Sequence, residues 1–174
     1  MFPPKVGAIG FFLLISLVLS TVAIFTKYWI VVYRTTVNDN QQLGVFGIIP
    51  YDSSNPIWFL ISSVMMYMAL GMLILSIIAY LHVSYKVHHH GYRYIDRHNF
   101  HSISALCSMI ATFEIAAFVL MAIYASDYAG FWDINNHTIS SKMGYSCYLA
   151  LAAGICSFIP GPIAAHISRN DCPV

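Results

Sequence analysis

Four long apolar runs, separated by shorter polar stretches, dominate the chain. Val6–Thr26 holds no charged residue, and neither does Ile57–Leu81. Ile103–Ser126 is interrupted only by Glu114, and Met143–Ile167 is rich in Ala and Gly. A helix that crosses a bilayer needs about 20 mostly apolar residues. The pattern therefore predicts four spans, at about 6–26, 57–81, 103–126 and 143–167. Pro160 and Pro162 predict a kink or an end late in the fourth. A cleaved signal peptide is the competing reading of the first run, with Lys5 ahead of it and Thr21-Val22-Ala23 as the cleavage site. It is disfavoured: the run stays apolar through Ile24 and Phe25, and cleavage would leave an odd number of spans.

The stretch after the first span has a different pattern. Tyr28–Val37 is almost wholly aromatic or β-branched, which favours a strand. Asn38-Asp39-Asn40 supplies turn residues, and Leu43–Ile49 reads as a returning strand that Pro50 and Ser53-Ser54-Asn55-Pro56 end. Residues 27–56 and 127–142 form the two loops on this side of the membrane. In the second of them, Phe131-Trp132-Asp133-Ile134 offers a further strand.

Composition then fixes the class. Of 174 residues 59% are hydrophobic and 9% charged, against about 25% charged in a soluble domain. Mean hydropathy is +0.69. This is the balance of an integral membrane protein whose partners include the lipid bilayer, read as a single membrane domain over residues 1–174. No length remains for a soluble catalytic domain, and the net charge of +1 suggests no nucleic-acid partner. Lys5, Lys86, Arg93, Arg97 and Arg169 fall on one face. Only Lys27, Arg34 and Lys142 fall on the other. The positive-inside bias predicts both termini in the cytoplasm of a multi-pass protein. Asn136-His137-Thr138, an N-glycosylation sequon, is then outside, at Asn136.

Candidate chemistry is sparse. Glu114 is the one acid at membrane depth, where ionisable residues mark ion or proton pathways or pair with polar neighbours. A relay needs several polar positions in register, so the preferred reading is a carboxyl kept protonated and hydrogen-bonded to a Ser, Thr or Tyr of a neighbouring helix, such as Tyr67 or Ser16. His82, His88-His89-His90, His98 and His101 gather between the second and third spans. Iron enzymes of membranes use paired imidazoles at repeated spacings of three or four. Here only His98 and His101 form such a pair, so a headgroup-facing loop is preferred to a metal site. Cys107, Cys147, Cys156 and Cys172 lie outside the outer loops and form no CxxC motif, so no extracellular disulfide framework is expected. Nothing resembles a catalytic triad, a phosphate loop or a dinucleotide fingerprint. The expectation is a protein without enzymatic activity, metal or cofactor. Cys147, Ala150, Gly154, Ser157 and Gly161 make a seam of small residues at helical spacing, suited to close packing of spans in lipid.

Four spans, cytoplasmic termini, a β-rich first outer loop and Trp29 just beyond the first span resemble the claudin, peripheral myelin protein, epithelial membrane protein and calcium-channel γ-subunit superfamily. That family's first loop carries a Trp, then Gly-Leu-Trp, then two cysteines joined as a disulfide. Trp29 matches the first element and Gly44-Val45-Phe46 is similar to the second. The two cysteines are missing from residues 27–56. Gly144-Tyr145-Ser146-Cys147 resembles the opening of the fourth helix in the myelin-protein branch. The resemblance implies an all-α membrane fold, a four-helix bundle with a small extracellular β-sheet. It assigns Trp29, Gly44 and Phe46 a structural role in fixing sheet to helices. It also implies other integral membrane proteins as partners, engaged laterally or as homo-oligomers at the plasma membrane. With short loops and no disulfide, an auxiliary or scaffolding subunit for a channel or receptor is preferred. A cell–cell junction or barrier protein is the alternative, and a small transporter or His-box enzyme ranks below both. The hydrophobic carboxy-terminal residue, Val174, offers a weak match to a PDZ-type scaffold.

Overall fold

The computed structural model describes residues 4–36, 39–49, 55–90, 97–128 and 139–170. Helix α1 is Pro4–Phe25, followed by strands β1 (Ile30–Thr36) and β2 (Asp39–Phe46). Helix α2 (Ile57–His90) and helix α3 (Arg97–Tyr124) come next, the latter closing in a short 3-10 turn at Ala125–Asp127. Strand β3 (Ile139–Met143) leads into α4 (Tyr145–Phe158) and α5 (Pro160–Asn170). Four helical segments are long and apolar enough to cross a membrane: Pro4–Phe25, Ile57–His89, Arg97–Asp127 and Tyr145–Arg169.

The spans form a ring. α1 packs on α2 and α4, and α3 packs on the same two, so α1 and α3 face each other across a diagonal. Residues such as Phe11, Leu14, Val18, Val22 and Phe25 on α1, or Ile74, Leu75 and Ile78 on α2, are exposed. Exposed apolar faces around a bundle are what lipid, rather than water, requires. Inside the ring lie two apolar clusters. One, around Leu13, Leu73, Phe100, Ile103 and Ile167, fills the end nearer the histidines. The other, around Ile24, Trp29, Ile30, Phe59, Met121 and Tyr128, fills the end beneath the sheet.

The sheet has the order β2-β1-β3, antiparallel throughout. Ile30 pairs with Phe46 on one side and Met143 on the other, and the β1–β2 register shifts between Val32 and Tyr33. The third strand is therefore Ile139–Met143. The expected strand at Phe131–Ile134 lies outside the described residues.

Helix ends differ from the apolar runs in a consistent way. α2 continues nine residues past Leu81 to His90, and α3 begins at Arg97 rather than Ile103. At 1.5 Å per residue, α2 is about 50 Å long against a hydrocarbon core of about 30 Å. Hydropathy marks only the part inside lipid, while the helix runs on into water. Val83 and Val87 remain buried in that extension and hold it to the bundle. His82, His88 and His89 are thus helical rather than looped, as are His98 and His101.

The fourth span starts at Tyr145, two residues later than Met143, because β3 claims that residue for the sheet. It breaks at Ile159, which keeps helical angles (φ −61°, ψ −46°). Pro160 opens α5 at the first helical position and Pro162 sits in the same turn, where a missing N–H costs least. The chain loses hydrogen bonds there without leaving its helical course.

Candidate functional site

Two constellations stand out: the joint between sheet and bundle, and a polar layer at the middle of the spans. The joint is built on the backbone of Tyr28 and Trp29, one step before β1. Trp29 N–H donates to the Phe46 carbonyl at 3.0 Å, and its own carbonyl accepts from Gly144 N–H at 2.9 Å. The Trp29 ring is fully buried, and its indole N–H donates to the Ala23 carbonyl at 2.7 Å. Indole suits this position because it has an apolar body and one donor. That donor satisfies one of the free carbonyls in the last turn of α1.

Helix α4 starts without a side-chain cap. Its N-cap is Gly144, in extended conformation (φ −88°, ψ 173°). The cap comes instead from another segment, since Ser146 N–H donates to the Tyr28 carbonyl at 3.1 Å. A Cβ on Gly144 would fall 2.0 Å from that carbonyl oxygen, so only glycine lets the two backbones meet. Thr26 and Ser146 share a hydroxyl–hydroxyl bond of 2.6 Å, latching the end of α1 to the start of α4.

Around this joint sits an aromatic group. The Phe46 ring packs on Tyr128 with centroids 5.1 Å apart, and Trp58 stacks on Tyr124 at 5.8 Å. Tyr128 Oη donates to Asn55 Oδ1 at 2.9 Å, tying the end of α3 to the segment before α2. Gly44 lies in β2 opposite Val32, a position that places the Phe46 ring edge 3.6 Å from where a Cβ would stand.

The polar layer contains Ser16 and Ser20 of α1, Glu114 of α3 and Ser157 of α4, all buried. Ser20 Oγ donates to Glu114 Oε1 across the diagonal of the bundle. Ser16 donates to the Ala153 carbonyl at 3.1 Å and also meets Ser157 Oγ, which lies 3.5 Å from Glu114 Oε2. Close approach of the backbones is what brings these groups together. A Cβ on Gly154 would lie 3.2 Å from both Glu114 Cβ and Ile115 Cγ1. The small-residue seam of the fourth span is buried throughout, at Cys147, Ala150, Gly154 and Ser157 on α4 and Gly161 on α5.

The partners expected for Glu114 are corrected in part. Tyr67 donates to the Ile48 carbonyl at 3.2 Å, where it holds the chain after β2 to α2. Ser16 reaches the carboxyl only through Ser157. Ser157 stands in the small-residue seam of the fourth span, but nothing in the sequence marks it or Ser20 as a partner of Glu114, because helix rotation and packing decide which hydroxyls meet the carboxyl.

Among the described residues no three of the His, Cys, Asp and Glu side chains converge as a metal site. Tyr85 packs on His89 (4.5 Å), and His88 meets His89 edge-on (5.4 Å). Asn136, Cys172 and Val174 lie outside the described residues.

A family model described as tight junction protein, claudin-like, matches residues 1–173, nearly the whole chain. The chain belongs to that claudin-like family. A search of curated proteins finds no match. Four long apolar helices beneath a three-stranded antiparallel sheet are the tetraspan arrangement of claudin-like membrane proteins. Trp29, Gly44 and Phe46 all lie in or next to the β1–β2 pair, while Glu114 sits in the middle of the bundle, well away from them.

Proposed function

We propose that this claudin-like membrane protein acts without enzymatic chemistry, as an auxiliary or scaffolding subunit that binds other integral membrane proteins laterally at the plasma membrane. The observation that carries this reading is the sheet joint. Backbone bonds at Tyr28 and Trp29 hold the outer sheet to α4, and the Trp29 indole holds it to α1, without any cysteine in residues 27–56. A platform fixed in this way is preorganised for docking, which lowers the ordering cost of association. The same loop carries Lys27, Arg34, Asp39 and Asp52, two charges of each sign, so it supplies no dense charge cluster for a selective pore. Both termini are cytoplasmic in this reading, the sheet is extracellular, and Asn136 is open to glycosylation.

The family's description as tight junction proteins favours a second reading, a cell–cell adhesion or barrier role. One experiment separates the two. The tagged full chain is expressed in dispersed cells, crosslinked at the surface and purified in mild detergent for mass spectrometry. Recovery of same-cell channel or receptor subunits at fixed ratio supports the auxiliary role. Clustering confined to cell–cell contacts, with no such subunit recovered, supports the barrier role and ends the first.

A further inference from the structure

At the end of the bundle away from the sheet, α3 and α5 border an open groove of about 680 Å³. Arg97, His98 and His101 line it from α3, and Ala165, Ser168 and Arg169 from α5. Arg97 begins the third span and Arg169 ends the fourth, so the groove opens at the level where spans leave the hydrocarbon. None of the described lining residues is acidic. Asp96 and Asp171 adjoin it in sequence, outside the described residues, so the argument rests on the lining groups rather than on net charge.

Arg97 is held in place. Its Nε donates to the Ser168 carbonyl at 2.9 Å, and Ser168 Oγ donates back to the Arg97 carbonyl at 3.2 Å. This reciprocal pair fixes the guanidinium and leaves its terminal nitrogens without a partner in the described structure. Arg169 is exposed and makes no hydrogen bond or ion pair among the described residues. A planar, fixed guanidinium offers two parallel N–H donors, the geometry that a phosphate oxygen pair accepts. A second cation beside it, Arg169, adds charge, and two imidazoles add N–H donors for a second phosphate group.

We propose that this groove binds the headgroup of a phosphoinositide, a lipid bearing phosphomonoesters, from the adjoining leaflet. Volume supports the assignment, since sites for small ligands span about 300–1,000 Å³. Position supports it too, because basic pockets between spans on the cytoplasmic side hold such headgroups. The proposal rests on the orientation given above, which puts this end in the cytoplasm.

The test uses the purified full chain in bilayer discs, where both leaflets are accessible and orientation plays no part. The discs hold phosphatidylcholine doped with phosphatidylinositol 4,5-bisphosphate, or with phosphatidylserine at equal total charge. Retained lipid is counted by native mass spectrometry. The bisphosphate lipid should be retained, and Arg169→Gln, at an exposed side chain with no ion pair among the described residues, should weaken retention about five- to tenfold. Lys86→Gln removes one charge from the neighbouring helix α2, outside the groove, and should change retention less than twofold. Equal weakening by both substitutions, or equal retention of phosphatidylserine, would reduce the effect to general surface charge and overturn the site. So would soluble inositol trisphosphate binding in lipid-free micelles as tightly as the doped lipid binds in discs, because the ligand would then be a free phosphate. Retention unchanged in Arg169→Gln and in Arg97→Lys would overturn it as well. If retention behaves as expected while terminal tags are found outside the cell, the orientation fails and the groove stands.

Discussion

The carbonyl oxygen of Tyr28 occupies the space that a side chain on Gly144 would need, and it caps α4 from there. Gly144→Ala forces these backbones apart, and overpacking of this kind costs about 1–3 kcal/mol or more. The Ser146 and Gly144 N–H groups lose their acceptors with it. The expected result is a loss of amide hydrogen-exchange protection in β1 and β3, with helical circular dichroism retained. Protection equal to that of the natural chain would show that the joint is not held by this contact.

Trp29 joins the sheet's ladder through its backbone and α1 through its ring. Trp29→Ala removes a fully buried aromatic, a change that typically costs about 3–5 kcal/mol. Surface delivery and partner recovery should fall together. Trp29→Phe keeps most of the apolar body but removes the indole bond to the Ala23 carbonyl, leaving it the longer contact from Thr26 Oγ1 at 3.2 Å, for about 1 kcal/mol. Trp58 is only partly buried, and Trp58→Phe should be milder than Trp29→Ala. Surface biotinylation of the three variants gives the ranking, and an unchanged Trp29→Ala would remove the structural role assigned to this residue.

Glu114 has no cation among its hydrogen-bonding neighbours in the described structure; Ser20 and Ser157 both donate to its carboxyl. Ser16 donates to the Ala153 carbonyl and shares a hydroxyl contact with Ser157 in which either oxygen can donate. Ser157 Oγ donates to Glu114 Oε2 at 3.5 Å, while Ser20 donates to the other oxygen. Glu114→Gln keeps a donor and an acceptor in place and should fold and traffic normally. Glu114→Leu strands the buried Ser20 hydroxyl, at about 1–3 kcal/mol, while Ser157 keeps its contact with Ser16, and it should lower the thermal midpoint in detergent by several degrees. Normal folding of Glu114→Gln with loss of a measured proton or ion flux would make Glu114 a transport residue instead.

The orientation is tested by tags at each terminus. Antibody should reach neither tag until cells are permeabilised, and Asn136→Gln should abolish any glycosidase-sensitive mass shift. An external tag at either end would reverse the placement of the sheet and of the histidine-bearing helix extensions.

Much of this architecture was legible in the sequence because two periodicities are local. Apolar runs of bilayer length gave the four spans, and the β-branched stretch after Phe25 gave β1 and the returning β2. Trp29 was legible as an anchor because an indole just beyond a span has few other uses. What the sequence left open was what depends on neighbours. The length of α2 beyond Leu81 is set by packing at Val83 and Val87, not by hydropathy. The third strand comes from Ile139–Met143, a polar segment with no strand signature of its own, because the free edge of β1 accepts it. Ser157 meets Glu114 where a glycine at position 154 lets α3 and α4 approach closely, and Ser20 meets it from α1 because helix rotation turns that hydroxyl inward. Arg97 finds the Ser168 carbonyl across 71 residues of chain. Periodicity fixes what each segment is, since it depends on a residue's own neighbours along the chain. Which side chains meet is decided by the angle and depth at which the segments pack, and only the folded chain sets those.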